Sequence, residues 1–343
     1  MSRKVAILTH PPLRNYGGIL QAFALQEALA KLGFDVCVLD RRPDLAAWKH
    51  PLVALFRAMG LKRFPSDRKQ TRLVRGFVRR NMRKSPAFFS HSSLVSFCRR
   101  RGFGAVVVGS DQVWRADYAE KFGDEYFLGF LPAGVRKVAY AASFGLDSWD
   151  YDDSWTSRIK SWLSSFSGIS VREESGVALC REHLGISPEW IIDPTMLDTS
   201  VYERVTSSRL VPEKYAFVYW LGDSSRIEPE IERLKAQGYR IVRQDLRSDA
   251  TLMPVEDWLS YIRYADCVLT DSFHGCVFSI LFHRPFMVLE NKSGGNSRLT
   301  SLFRQLGIPG DVFGSPASPD YAAVDGRLDS LRHSALGFLR SSL

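Results

Sequence analysis

The stretch TDSFHG, residues 270–275, sets an acid, two hydroxyls, an aromatic ring and an imidazole between a short apolar strand, CVL, and an apolar run, CVFSILF. His274 at such a strand-to-helix turn can give or take a proton near neutral pH. The plainer alternative is a histidine that caps the helix or fills a gap in the core. In SVREESG, residues 170–176, a strand ends on Arg172, whose planar guanidinium is a two-point partner for phosphate or carboxylate. A surface pairing with Glu173 or Glu174 would instead contribute little. Arg298, in GGNSRL at residues 294–299, follows the next strand and so lies at the same sheet edge, one βα unit beyond His274. Two arginines and a histidine converging on one cleft point to an anionic substrate. No carboxylate or histidine cluster has the spacing of metal ligands, so neither a metal nor a bound cofactor is expected.

A second set of polar residues sits nearer the N-terminus. NYGGILQ, residues 15–21, joins the first strand to the first helix. Gly17 and Gly18 let the backbone approach a ligand, and the helix N-terminus offers unpaired N–H groups to an anion or a polar sugar edge, flanked by Asn15 and Gln21. The pattern is not G-x-G-x-x-G, so no dinucleotide is expected; a plain tight turn is the alternative. GSDQVW, residues 109–114, follows the run VVV. Asp111 and Gln112 could hold a sugar hydroxyl, with Asp111 as a general base, although such residues more commonly cap the next helix. His10 lies close to the NYGG turn and could line the same cleft. His283, beside Arg284-Pro285, reads as part of a turn.

These residues need strands that aim them and helices that back them. KVAILTH reads as a strand, ILQAFALQEALAKLG as a helix ending on Gly33, and FDVCVLDRR as a second strand, a βαβ opening that implies a parallel sheet. Strands follow at GAVVVG, RKVAYAA and GISV, with a helix over 151–166. At IIDPTML, residues 191–197, the pattern resets. KYAFVYWLGD then starts a second alternation, through a helix at 228–237, GYRIVRQ, VEDWLSYIRYA, DCVLTD and RPFMVLEN. The fold class is therefore α/β, with two Rossmann-like domains facing a cleft: residues 1–193, with a basic insertion at 45–101, and residues 194–343. The stretch 49–101 reads as helical, and the last helix could pack on either domain.

The chain has 343 residues, 45% of them hydrophobic, enough for two cores. Its five cysteines show no zinc spacing and several lie in apolar runs, which fits a reduced, cytoplasmic setting. The N-terminal apolar run is too short for a signal peptide, and no run is long enough to cross a bilayer. The net charge is +9, but residues 57–101 hold fourteen Lys and Arg against one acid, Asp67, so this stretch carries +13 and the rest sums to −4. PLVALFRAMGLKRF, residues 51–64, mixes apolar residues with these cations. That combination suggests peripheral attachment to an anionic membrane face. A solvated helical face is the alternative. Nucleic acid is not expected, since no nucleic-acid motif accompanies the charge.

NYGGILQAFALQ, VVVGSDQVW, ISVREESG, IIDPT, VLTDSFHGCVFSILFHRPF and NSRLTSLF, in this order over roughly residues 5 to 310, resemble the polysaccharide pyruvyl transferases. The resemblance implies a fold similar to the B-type glycosyltransferases. It also implies transfer of the enolpyruvyl skeleton of phosphoenolpyruvate to a sugar, giving a pyruvate ketal and phosphate. It carries His274 as the catalytic residue, Arg172 as a phosphoenolpyruvate ligand, residues 1–193 as the expected acceptor side and 194–343 as the expected donor side. Together with the basic stretch, it implies a lipid-linked acceptor. Several relatives place an arginine two residues before the histidine, where this chain has Ser272. Arg298 is the expected substitute, or else Ser272 and the N–H groups at Gly275 cradle the anion. Two other readings stay open: a nucleotide-sugar glycosyltransferase, which would need a base and ribose pocket that no residues here clearly supply, and a non-catalytic glycan-binding relative.

Overall fold

Branched apolar residues set the strands. KVAIL (β1, Lys4–Leu8), AVVV (β4, Ala105–Val108) and CVLT (β10, Cys267–Thr270) are buried almost throughout, as strands of a sheet covered on both faces must be. In a computed structural model, residues 3–44, 71–246, 251–289, 296–309, 313–314 and 316–343 are described. They form two sheets, with every strand pairing parallel. The first has seven strands in the order β3-β2-β1-β4-β5-β6-β7, adding β2 (Asp35–Arg41), β3 (Lys84–Phe88), β5 (Arg136–Ala142), β6 (Gly168–Val171) and β7 (Glu189–Trp190). The second has four in the order β11-β10-β8-β9, from β8 (Tyr215–Trp220), β9 (Arg240–Asp245) and β11 (Phe286–Val288).

The order of the strands decides where a ligand can sit. From β1 the chain runs outward to β2 and β3, then returns to place β4 on the other side of β1. In the second sheet it runs from β8 out to β9 and returns to β10. Each return opens a crevice at the carboxyl ends of the two strands beside it. The loops after β1 and β4 flank the first crevice, and TDSFHG follows β10 at the second.

Helix α1 (Tyr16–Lys31) is buried along nearly its whole length because both halves of the molecule pack on it. Asn15 caps it, accepting from Gly18 N. Its first residue, Tyr16, stacks on Trp258 with ring centroids 5.2 Å apart and donates its hydroxyl hydrogen to Met253 O at 3.0 Å. One apolar cluster accordingly runs from Val5 and Ile7 of the first sheet to Phe217 and Tyr219 of the second.

The basic stretch is not wholly helical. Between α2 (Arg72–Asn81) and α3 (His91–Arg101) lies β3, which pairs with β2. Pro86 sits inside β3, and an edge strand tolerates a residue without an N–H. The final helix, α10 (Tyr321–Ser342), begins against the second sheet's loops, where the Tyr321 hydroxyl donates to Arg284 O at 2.6 Å. It then crosses back to the first sheet, with Phe338 against Tyr140 and Ser342 filling the space over Gly168. The intervening labels are α4 (Asp153–Leu163), α5 (Glu174–Leu179), α6 (Glu228–Ala236), α7 (Val255–Arg263), α8 (Phe273–Leu281) and α9 (Asn296–Leu306). Residues 51–64, on which the membrane expectation rests, lie outside the described residues, as do Gly294 and Gly295.

Candidate active site

Asp193, the third residue of the IIDPTML segment that follows the first series of strands, is fully buried and gathers the site. Its Oδ1 accepts from the Thr195 hydroxyl at 2.7 Å and from Thr195 N at 2.9 Å. Its Oδ2 accepts from the Ser110 hydroxyl at 2.7 Å and from Arg172 Nη1 at 2.8 Å. His274 Nε2 stands 3.7 Å from the same Oδ2, an ion-pair distance once the ring is protonated but too long for a hydrogen bond. Burial alone would raise the Asp193 carboxyl. The His274 imidazole, the Arg172 guanidinium and the Ser110 hydroxyl outweigh it and hold the group well below the usual carboxylate range.

Arg172 is thus buried and anchored from one end. The surface pairing is not found: Glu174 is bonded instead by Arg304, and Glu173 Oε2 is 4.0 Å from Arg172 Nε. Phe273 covers the guanidinium, its ring centroid 4.3 Å from Cζ. With Nη1 tied to Asp193 and Ser110, Nε and Nη2 have no hydrogen-bond partner. These two donors form the side-on edge that matches a carboxylate or phosphate at two points. Arg298, at the start of α9, is close enough for the two positive charges to repel. Burial and then the Arg172 charge push its guanidinium down, with Glu173 and Asp111 opposing, and its enclosed Nε also lacks a partner. A buried and a half-buried cation with unused donors form an arrangement that an anion would relieve.

His274 occupies the first turn of α8, whose N-cap is Ser272. The Ser272 hydroxyl accepts from Gly275 N at 3.3 Å, and Thr270 Oγ1 would lie 2.4 Å from a Cβ on Gly275. Ser272 and Gly275 are therefore engaged in capping and close packing. The imidazole lies against the first turn of α1: a Cβ on Gly17 would stand 1.9 Å from His274 Nδ1. One residue on, a Cβ on Gly18 would be 3.1 Å from Asp111 Oδ2. The two glycines thus admit an imidazole and a carboxylate to the helix N-terminus. His274 Nε2 has no hydrogen-bond partner, so the ring is neither a helix cap nor a satisfied core residue.

Asp111 has φ +85°, a strained conformation for a residue with a side chain. It does not cap a helix. Its Oδ1 accepts from Gln112 N at 2.9 Å, and the next helical turn begins only at Ala116, after Arg115. Burial pushes its carboxyl up, but His10, the Arg172 guanidinium and His274 beside it hold it below the usual range. Gln112 accepts from Arg115 Nη1 at 3.3 Å. Gln21 is fully buried behind the turn, where Nε2 donates to Thr9 Oγ1 at 3.0 Å and to Gly18 O at 2.9 Å.

His274, Arg172, Arg298, Asp111, Gly17 and Gly18 converge, whereas Asn15, Gln21, Gln112, Ser272 and Gly275 are used in shaping the loops. Sequence reasoning took IIDPT as a break between domains and as one of the six ordered motifs, but gave no role to Asp193 or to its supports Ser110 and Thr195. The available signal was an acid straight after two buried isoleucines, with a threonine two positions on to fix it. Among the described residues no group of three His, Cys, Asp or Glu could hold a metal ion, and no helix is long and apolar enough to cross a membrane.

The solved structure of Arabidopsis thaliana UGT89C1 complexed with UDP-L-rhamnose is similar over 99% of this chain and 99% of that one, at 9% identity and a TM-score of 0.53. The UDP-GlcNAc 2-epimerase from Methanocaldococcus jannaschii aligns over 96% and 99% at 13% identity, with a TM-score of 0.47. The first of these supports the fold expected from the sequence, two Rossmann-like units in the manner of the B-type glycosyltransferases. No curated protein matches the chain in sequence. The polysaccharide pyruvyl transferase family matches residues 15–293, a span that holds every residue named above as converging except Arg298. The chain belongs to the polysaccharide pyruvyl transferase family.

Proposed function

We propose that this transferase uses phosphoenolpyruvate as donor and forms a pyruvate ketal on a sugar of a cell-surface polysaccharide or its lipid-linked precursor, releasing phosphate. The observation that carries the donor is the Nε–Nη2 edge of buried Arg172, which has no hydrogen-bond partner, beside a second, half-buried guanidinium, Arg298. Phosphoenolpyruvate offers a carboxylate and a phosphate to two such groups. The donor contacts draw on both halves of the chain, Arg172 from residues 1–193 and His274 with Arg298 from 194–343.

His274 gives its proton to the enol methylene, and positive charge develops at the carbon that bears the phosphate. Asp193, held ionised beneath the ring, stabilises the protonated imidazole before that step. A sugar hydroxyl bonds to the electron-poor carbon, phosphate leaves, and a second hydroxyl closes the ketal. Asp111, with Gly17 and Gly18, forms the acceptor side. A lipid-linked acceptor carrying phosphate is supported by a cavity of about 640 Å³ beside Pro12 and Leu13, which Arg42, Arg72, Arg75, Arg79 and Lys84 line with one acid, Asp40.

Calorimetry with phosphoenolpyruvate tests the donor. Arg172→Lys and Arg298→Ala should each weaken binding by about 1.5–3 kcal/mol, the range for charge-assisted hydrogen bonds. His274→Gln should keep the affinity and lose turnover. Unchanged affinity in Arg298→Ala removes that residue from the site. Binding of a nucleotide sugar in place of phosphoenolpyruvate moves the protein to the glycosyltransferase reading.

A further inference from the structure

Ketal formation requires a group that takes a proton from the acceptor as well as one that gives a proton to the donor, and His274 supplies only the second. His10 follows β1 at the crevice where the strand order reverses. Its ring is held edge-on by Tyr118 and Tyr126, with centroids 5.1 Å and 5.5 Å away. Nδ1 lies 3.3 Å from the Tyr126 hydroxyl, while Nε2 is enclosed and has no hydrogen-bond partner. A histidine kept only for packing normally satisfies both nitrogens. Here one nitrogen is pinned and the other left without a partner, as in a histidine base whose orientation a neighbour fixes. The neighbouring Tyr118 is 39% exposed and His10 is half-buried, so the ring lies near the surface rather than in the core.

We propose that His10 is the base that takes the proton of the attacking sugar hydroxyl, an assignment that rests on the pyruvyl-transfer reading above. With the proton on Nδ1 and donated to the Tyr126 oxygen, the Nε2 lone pair faces the hydroxyl. The C2=C3 pair of phosphoenolpyruvate takes a proton at C3 from His274. The sugar oxygen forms its bond to C2, and its proton passes to Nε2. Phosphate then leaves with the pair of its C2–O bond, a second hydroxyl bonds to C2, and that hydroxyl's proton leaves with the phosphate. The proton on His10 returns through solvent to His274, so the cycle closes with no oxidant or reductant.

The test compares wild type, His10→Gln and Tyr126→Phe for phosphoenolpyruvate binding by calorimetry and for phosphate release, with a panel of nitrophenyl hexosides as acceptors and with water alone. His10→Gln should keep phosphoenolpyruvate affinity and lose at least about 100-fold in turnover, the low end for general acid–base catalysis. Tyr126→Phe removes only the hydroxyl that fixes Nδ1; it should keep affinity and lose less turnover than His10→Gln. Turnover by His10→Gln at the wild-type rate overturns the assignment, as does a loss of phosphoenolpyruvate affinity matching that of Arg172→Lys, which would put His10 on the donor side. Wild type that neither binds phosphoenolpyruvate nor releases phosphate removes the pyruvyl-transfer reading itself, and the base falls with it. If His10→Gln fails to fold, Tyr126→Phe decides alone: wild-type turnover in that variant counts against a fixed imidazole.

Discussion

At the scale of single residues, Asp193 is the connection between parts of the site that come from different strands. It takes two hydrogen bonds on each oxygen and still stands beside the imidazole. A carboxyl depressed in this way contributes stability that is complete above its unfolded-state pKa and is lost as pH falls below that value. The protein should therefore lose stability on acidification from about pH 4 downward, where an unfolded aspartate begins to protonate. Asp193→Asn should remove about 3–5 kcal/mol at neutral pH, the cost of breaking a buried pair from one side. Its melting temperature should then fall less steeply with acid than that of wild type. Thermal melts of both proteins between pH 3 and pH 7 read this out, and parallel slopes would show that Asp193 does not carry the acid sensitivity.

At the scale of elements, the site is made by two helix starts that meet. The first turn of α1 has no side chains at positions 17 and 18, and the first turn of α8 places His274 in the space that this leaves. Gly17→Ala puts a methyl where the imidazole lies, in a helical position that suits alanine well. The substitution should leave the fold intact and displace the ring, costing about 100-fold in turnover, the order expected for a misplacement of about 1 Å. Phosphate release alongside far-ultraviolet circular dichroism would check it, and full activity would mean that the two helix starts move apart during the reaction. These elements were legible in the sequence because strand runs such as AVVV and helix-ending residues such as Gly33 act locally. Strand β3 was not, because its reason for being a strand is an edge position on β2 rather than a pattern of its own.

At the scale of the whole molecule, one half of the chain cannot form the site alone. Arg172 is covered by Phe273 from the other half, and Ser301 of α9 bonds back to Glu174 of α5 at 3.1 Å. The charge is also a property of the whole: the net +9 arises from +13 in residues 57–101. Cations near an anionic bilayer each add about 1 kcal/mol, falling away within a Debye length. Sedimentation with anionic liposomes at low salt should carry the protein down, and neutral liposomes should not. Equal recovery in both supernatants would remove the membrane proposal and leave the basic cavity beside Pro12 to a soluble acceptor.

The sequence by itself determined the alternation of strands and helices, the family through its six ordered motifs, and the residue types a donor site needs, His274 and Arg172 above all. Those depend on local pattern and on chemistry that a side chain keeps wherever it stands. Only the tertiary structure decided that Arg172 points inward to Asp193 rather than outward to a glutamate, that Asp111 is strained rather than a cap, and that Ser272 closes a helix. It also decided that one nitrogen of His10 has no partner. Each of these is a choice between partners far apart in the chain. That choice is made by which groups burial brings together, and burial is set by the packing of both sheets at once.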